Sequence, residues 1–218
     1  MTEWQFIDAK GTFALSDPQR HNYLYFPLVN EEGLVAAVTP TLHGDVKAGQ
    51  QSFLTVPVSA EDLHISRAAR NFWVHVTGYG AWSATGNSAR QIALNFVADD
   101  VEQLEMRGGF LWHQLRRSRP GLGLHAEITN FVPAGGELPA EASLVELIQV
   151  VLTNESSMPL TLTPTAAIPI YGRSADRLRD HRHVTSLLHR IYTHPNGVVV
   201  QPSLAFDERG HRPNTVAY

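Results

Sequence analysis

Cationic, acidic and imidazole side chains are concentrated in residues 171–190, with the sequence YGRSADRLRDHRHVTSLLHR. These positions hold five of the 17 Lys and Arg residues and three of the 11 histidines of the chain. Guanidinium groups form bidentate bonds with oxyanions and other oxygen acceptors, and neighbouring aspartates fix their planes. The segment therefore predicts recognition of hydroxyls, carboxylates or phosphate, and a surface salt-bridge network is the alternative. The candidate residues are Arg173, Asp176, Arg179, Asp180, His181, Arg182 and His183.

A metal site is a weaker interpretation of the same segment. His181 and His183 would point to one side of a strand, with Asp176 and Asp180 nearby. Four arginines within a few positions would repel a divalent cation, so we expect no metal here. The chain has no cysteine, which excludes thiolate ligands and a cysteine nucleophile.

Patterns of known catalytic machinery are missing from the sequence. There is no G-x-S-x-G nucleophile elbow and no glycine-rich phosphate loop. Glycoside hydrolysis needs two placed carboxylates, and spacing favours no pair among the acidic residues Glu61, Asp62, Glu127, Asp207 and Glu208. We therefore assign no catalytic residue.

Two tryptophans are candidate sugar-stacking residues. Trp73 and Trp82 are close in sequence, and the stretch GYGAWSATGNSAR adds hydroxyl, amide and guanidinium groups around Trp82. Aromatic faces with a few polar groups are typical of ligand pockets. The alternative is that both tryptophans fill the protein core, which is the favoured interpretation.

Composition limits the class of protein. The 218 residues are 43% hydrophobic and 17% charged, enough apolar material for a sizeable core. The formal net charge is −4, which disfavours a nucleic-acid partner. Apolar runs are short, and the amino end MTEWQFIDAKG lacks the pattern of a signal peptide, so we expect a cytoplasmic protein without a membrane partner.

Most of the chain has the pattern of β-strands. LGLHAEITNFV alternates Leu122, Leu124, Ala126 and Ile128 with polar residues, and FWVHV alternates in the same way. GFLWHQL is apolar on both sides, which predicts a strand between two layers. Prolines in YLYFPL and SFLTVPV indicate sheet edges or bulges.

The connections favour an antiparallel architecture. Residues 144–172 contain two β-rich runs around a polar connection, which predicts a long hairpin. Residues 133–143 are a Gly/Pro loop, and SAEDLHISRAAR predicts one short helix. We therefore predict an all-β antiparallel sandwich with one or two short helices.

Several long motifs resemble one family. They are YLYFPLVNEEGLVAAVTPTLHGDVK, PVSAEDLHISRAARNFWVHVTGYGAWSATGNSA, GFLWHQLRR, AEITNFVPA, PTAAIPIYGRSADRLRDHRHVTSLLHRI and LAFDERGHRPN. From Trp4 to Tyr218 the chain resembles the amino-terminal region of glycoside hydrolase family 94. These enzymes are inverting disaccharide and oligosaccharide phosphorylases (cellobiose phosphorylase-like). The subgroup of 1,2-β-oligoglucan phosphorylases is the most similar.

The resemblance implies a galactose-mutarotase-like β-supersandwich over residues 1–218, without the (α/α) barrel that carries the family's general acid. It implies a non-catalytic domain at the active-site rim and dimer contact. We predict that residues 171–190 form a rim or interdomain contact and not the catalytic centre. Full-length members use inorganic phosphate as co-substrate and no cofactor, act on β-linked glucose oligosaccharides and are usually homodimers. A freestanding lectin-like module and a mutarotase-like enzyme remain the alternatives.

Overall fold

The computed structural model describes residues 4–49, 52–58, 68–94, 102–134, 139, 142–173, 188–207 and 210–218. The first half of the chain contains β1 (Trp4–Phe6), β2 (Phe13–Ser16), β3 (Phe26–Val29), β4 (Leu34–Val38), β5 (Val46–Ala48), β6 (Asn71–Val76), β7 (Gly80–Ser83) and α1 (Ala89–Leu94). The second half contains β8 (Gln103–Gly109), β9 (Trp112–Arg119), β10 (Leu124–Phe131), β11 (Leu147–Asn154), β12 (Leu162–Ala167), β13 (His189–His194), β14 (Gly197–Pro202), β15 (Leu204–Asp207) and β16 (Gly210–Pro213). The fold is all-β, as the sequence predicts.

The strands form one large sheet and several small ones. The large sheet has six strands in the order β1-β2-β8-β9-β10-β11. Two three-stranded sheets have the orders β3-β4-β5 and β12-β6-β7, and β13-β14 and β15-β16 are two-stranded. Every strand pairing among the described residues is antiparallel.

Alternation along β9 and β10 gives the large sheet two different faces. In β10, Leu124, Ala126 and Ile128 are buried, and the residues between them are partly exposed. This confirms the period-two prediction for this segment. In β9, Leu115 is buried beside Ile128, its direct cross-strand partner. One face of the sheet therefore lies on the core, and the other is open.

One hydrophobic core joins the large sheet to both three-stranded sheets. Each sheet contributes buried side chains to the same cluster: Leu115, Leu124 and Ile128 from the large sheet, Leu34, Ala36 and Val38 from β4, and Val74, Val76 and Trp82 from β6 and β7. The architecture is therefore a two-layer antiparallel sandwich, because both small sheets cover the same face of the large one.

The predicted hairpin at residues 144–172 is wrong. β11 pairs with β10 in the large sheet, whereas β12 pairs with β6 in the opposite layer. The polar connection between them, residues 155–161, therefore crosses from one layer to the other. Both segments are strands as predicted, but they do not pair with each other.

The prediction that GFLWHQL is one strand is also wrong in part, because residues near its start form a turn. Phe110 and Leu111 form the turn between β8 and β9, and Phe110 is 86% exposed.

The prediction that Pro27 marks a sheet edge is confirmed, because β3 pairs with β4 at the end of its three-stranded sheet. The predicted helix start at residues 59–67 lies outside the described residues.

A buried network around Glu102 ties the layers together. Glu102 accepts hydrogen bonds from Trp82 Nε1 in β7 at 2.9 Å and from Gln91 Nε2 in α1 at 3.1 Å. It also forms a buried salt bridge with Arg117 of β9. Glu102 thus connects a small sheet, the helix and the large sheet. Within the described ranges no helix is long and apolar enough to cross a membrane.

Candidate functional site

The open face of the large sheet carries a regular array of polar side chains. We call this the outer face, and its four rows follow from the register of β8, β9, β10 and β11. The aromatic row contains Gly109, Trp112, Phe131 and Leu147. The amide row contains Arg107, Gln114, Thr129 and Gln149. The ion-pair row contains Glu105, Arg116, Glu127 and Val151, and the histidine row contains Gln103, Ser118, His125 and Thr153.

Arg116 is the centre of the ion-pair row. Its Nε donates to Glu127 Oε1 at 2.6 Å, and its Nη1 lies 3.5 Å from Glu105 Oε1. Arg107 Nε reaches the same Glu105 oxygen at 2.5 Å. Two guanidinium groups and two carboxylates are therefore interlocked on this face. The hydrogen bond from Arg116 lowers the pKa of Glu127, so this carboxyl group is held ionised.

The histidine row continues the network. His125 Nε2 lies 3.5 Å from Glu127 Oε1, and His125 Nδ1 is hydrogen-bonded to Ser118 Oγ at 2.6 Å. A shallow depression of about 570 Å³ is lined by these side chains and by Ser16. It is wide and polar enough to receive a hydroxyl-rich ligand.

The aromatic row has a different composition. Trp112 and Phe131 are direct cross-strand partners, and both are partly exposed. The indole of Trp112 lies against Gly109, where an added Cβ would overlap the ring. In the adjacent amide row, Gln114 Nε2 donates to Thr129 Oγ1 at 3.0 Å. Aromatic surface and hydrogen-bonding groups therefore lie side by side.

The two tryptophans singled out from the sequence do not face each other. Val74 pairs with Trp82 on the core side of β6 and β7, so the adjacent Trp73 points to the opposite side of that sheet. Trp82 has no exposed surface, and its indole N–H is bonded to Glu102. Its role in the core is confirmed, and a sugar has no surface of Trp82 on which to stack. Trp73 is partly exposed.

Arg173 is the described member of the seven candidate residues in the segment 171–190. Its backbone forms a β-bridge with Phe53, and its guanidinium group lies 4.2 Å from the ring centroid of Tyr171. Burial and the neighbouring Arg173 charge lower the pKa of His189. Asp176, Arg179, Asp180, His181, Arg182 and His183 lie outside the described residues, so their predicted role stays a prediction.

A second, apolar cavity of about 390 Å³ lies beside the carboxyl-terminal residues. Its lining includes Leu34, Leu54, Ile148 and Val216. Its polar lining includes the buried salt bridge between Arg70 Nε and Glu146 Oε1, at 2.7 Å. Arg70 also donates to the backbone carbonyl of Gly44, so both groups serve to hold the chain in place.

Metal binding has no geometric support in the part of the chain that the structure describes. No group of three His, Asp or Glu side chains there is arranged to hold a metal ion. The cluster of Glu105, Glu127 and His125 is occupied by Arg116, whose charge opposes a cation.

Sequence reasoning missed the outer face as a site. It identified His125, Glu127 and Thr129 as the polar side of a strand, which is the ordinary state of an exposed antiparallel strand. The pattern of GFLWHQL predicts that Trp112 lies in a strand between two layers. The missing information was the register of β8, β9 and β11 against β10, because that register alone places Arg116 beside both glutamates.

Comparison with known proteins does not assign the chain. No known family model matches it, and a search of curated proteins gives no significant match. The relation to the phosphorylase family therefore stays a prediction from the motifs of the sequence.

Proposed function

We propose that this chain is the amino-terminal β-sandwich of an inverting β-glucan phosphorylase of glycoside hydrolase family 94. Its role there is to support the active-site rim and the dimer contact without catalysing the reaction. The motif resemblance along the chain supports the family, and the two-layer antiparallel fold agrees with the β-supersandwich that the resemblance implies. In the full-length protein, which we place in the cytoplasm, inorganic phosphate and β-linked glucose oligosaccharides are the substrates.

The non-catalytic assignment rests on the motif resemblance, and the state of Glu127 agrees with it. An inverting phosphorylase needs one carboxylic acid that stays protonated until it donates to the leaving oxygen, while phosphate attacks the sugar. A general acid of this kind has a raised pKa. Glu127 has the opposite property, because Arg116 lowers its pKa. The best-placed carboxyl group of the outer face is therefore unsuited to be the general acid.

The proposal is tested by the coding sequence and by an assay. We expect the reading frame to continue beyond the codon for Tyr218 into a helical, barrel-forming region. A stop codon directly after Tyr218 would contradict the assignment. The 218-residue chain, incubated with β-linked glucose oligosaccharides and phosphate, should release no glucose 1-phosphate; release would show that the sandwich itself is catalytic.

A mutarotase-like activity is the second candidate, and the contact between His125 and Glu127 favours it. Ring opening of a sugar needs a base and an acid, and an ionised carboxylate 3.5 Å from an imidazole can supply both. Polarimetry on freshly dissolved α-glucose tests this directly. An acceleration that Glu127→Gln removes and Glu32→Gln retains would support the activity, because Glu32 is exposed and lies in the loop that connects β3 and β4 of another sheet. The spontaneous rate alone would exclude it.

A further inference from the structure

We propose that Trp112 and Phe131 form a stacking platform for a neutral β-linked glucose oligosaccharide, which extends from this platform along the outer face. The inference rests on the proposed association with β-linked glucose oligosaccharides and adds the surface that binds them. It places recognition on the large sheet and not around Trp73 or Arg173.

The position of Trp112 follows from strand alternation. His113 is fully buried on the core side of β9, so Trp112 and Gln114 must point to the outer face. Phe131 is opposite Trp112 and points the same way. Trp112 and Phe131 are partly exposed aromatic residues and direct cross-strand partners, so both contribute apolar ring surface to the same face. The C–H face of a sugar ring packs on aromatic surface of this kind.

Gly109 gives independent support for this platform. Its backbone does not adopt the left-handed conformation that favours glycine, so its φ angle would accept any residue. Gly109 is the last residue of β8, directly before the turn at Phe110 and Leu111, and a glycine in a strand often marks the close approach of another group. Here the approaching group is the Trp112 indole, which any Cβ at position 109 would displace. The absence of a side chain at Gly109 thus sets the position of the ring.

The charges of the outer face select the ligand class. Arg107 and Arg116 are matched by Glu105 and Glu127, and the four groups are already paired with one another. A charged ligand would have to break these ion pairs. A neutral ligand with many hydroxyls can instead form hydrogen bonds with the carboxylate oxygens and guanidinium nitrogens while the ion pairs stay intact. Gln114 and Thr129 add further donors and acceptors directly beside the platform.

The length of the face favours an oligosaccharide over a single sugar. Trp112 and Arg116 are four positions apart on β9, which corresponds to roughly 13 Å at about 3.3 Å per residue. One sugar ring on Trp112 cannot reach the depression around Arg116, but a chain of rings can. Affinity should therefore increase with the number of linked glucose units.

Isothermal titration of the 218-residue protein with glucose and with β-linked glucose di-, tri- and tetrasaccharides tests the proposal. The oligosaccharides should bind more tightly than glucose. Trp112→Ala should lower the association constant by about five- to tenfold, in line with the loss of one aromatic contact. Gly109→Ala should lower it as well, because it displaces the ring without removing it. Trp112→Phe, which keeps a ring, should retain most of the affinity.

Trp4→Ala is the matched control. Trp4 is 57% exposed and lies in the same sheet, but its register with Leu15 places it on the opposite face. Its removal should leave affinity unchanged. No measurable oligosaccharide binding by the wild-type protein, or equal weakening by Trp4→Ala and Trp112→Ala, would overturn the inference. Neither result depends on whether the reading frame continues past Tyr218, so the two proposals fail separately.

Discussion

His113 is a buried histidine whose imidazole is not stabilised by hydrogen bonds from the described residues. It is completely enclosed between the large sheet and β3, where its ring centroid lies 5.6 Å from that of Phe26. Neither ring nitrogen has a hydrogen-bond partner among the described residues. Burial, together with the charge of Arg70, lowers the pKa of His113 to about 3. The residue is therefore neutral in the folded protein at any ordinary pH.

This residue should make the fold sensitive to acid. Between pH 6.5 and about 3, the unfolded chain protonates His113 but the folded protein does not. The unfolded state then binds more protons, so the free energy of unfolding falls as the pH falls, by up to about 1.4 kcal/mol per pH unit. We expect urea denaturation of His113→Leu to show a shallower loss of stability across this range than the wild type.

The control for this experiment is His75→Gln, because His75 is exposed on β6. It should retain the acid sensitivity of the wild type. An unchanged pH slope in His113→Leu would show that other groups cause the loss of stability.

Strand alternation was readable from the sequence, but strand pairing was not. The alternation of apolar and polar residues in β10 identifies its buried residues, because apolar side chains face the core and polar ones face away from it. The choice of partner for β11 depends on residues far away in the chain, and a short polar connection to β12 wrongly favoured a local hairpin. The sequence did not indicate the turn at Phe110 and Leu111, for a different reason. Leu111 adopts a φ of 61°, which a leucine rarely does, so no turn residue marked it.

At the scale of elements, Glu102 joins β7, α1 and β9, so substitution of Glu102 should lower the free energy of unfolding. Glu102→Gln removes the charge that compensates the buried Arg117. Breaking one side of a buried ion pair typically costs about 3–5 kcal/mol. We expect a decrease of this size in the free energy of unfolding, measured by urea denaturation.

Glu105→Gln provides the comparison. Glu105 makes salt bridges on the outer face with Arg107 and Arg116, but its side chain is 39% exposed. Partly exposed ion pairs of this kind contribute about 0–1 kcal/mol. Equal destabilisation by the two substitutions would contradict the role of Glu102 as the connection between layers.

At the scale of the whole molecule, one core holds three sheets together. Leu115 lies in this core, fully buried under the small sheets. Leu115→Ala should reduce the free energy of unfolding by about 2–5 kcal/mol, because it leaves a cavity shared by both layers. Leu147→Ala, at a residue that is 40% exposed on β11, should change it by about 0.5 kcal/mol or less. Similar losses at both positions would argue against a common core.

The sandwich also explains why one face remains available for binding. Both small sheets cover the same side of the large sheet, so among the described residues the opposite side carries the four rows of the outer face, most of whose residues are partly exposed. Sequence reasoning gives Trp73, Trp82 and residues 171–190 as candidates, with the protein core as the favoured place for both tryptophans. The prediction for residues 174–187 stays a prediction, because they lie outside the described residues. The structure buries Trp82 and assembles a larger set of hydrogen-bonding and aromatic groups elsewhere, around Arg116 and Trp112.

The most direct test of this account is an NMR titration of the ¹⁵N-labelled protein with a β-linked glucose tetrasaccharide. We predict that the largest shift changes occur at the indole N–H of Trp112 and at the side-chain or backbone amides of Gln114, Thr129 and Arg116. The Trp73 indole and the Arg173 amide should be nearly unaffected. Shift changes concentrated at Trp73 and Arg173, or none anywhere in the spectrum, would contradict the assignment of the outer face as the binding surface.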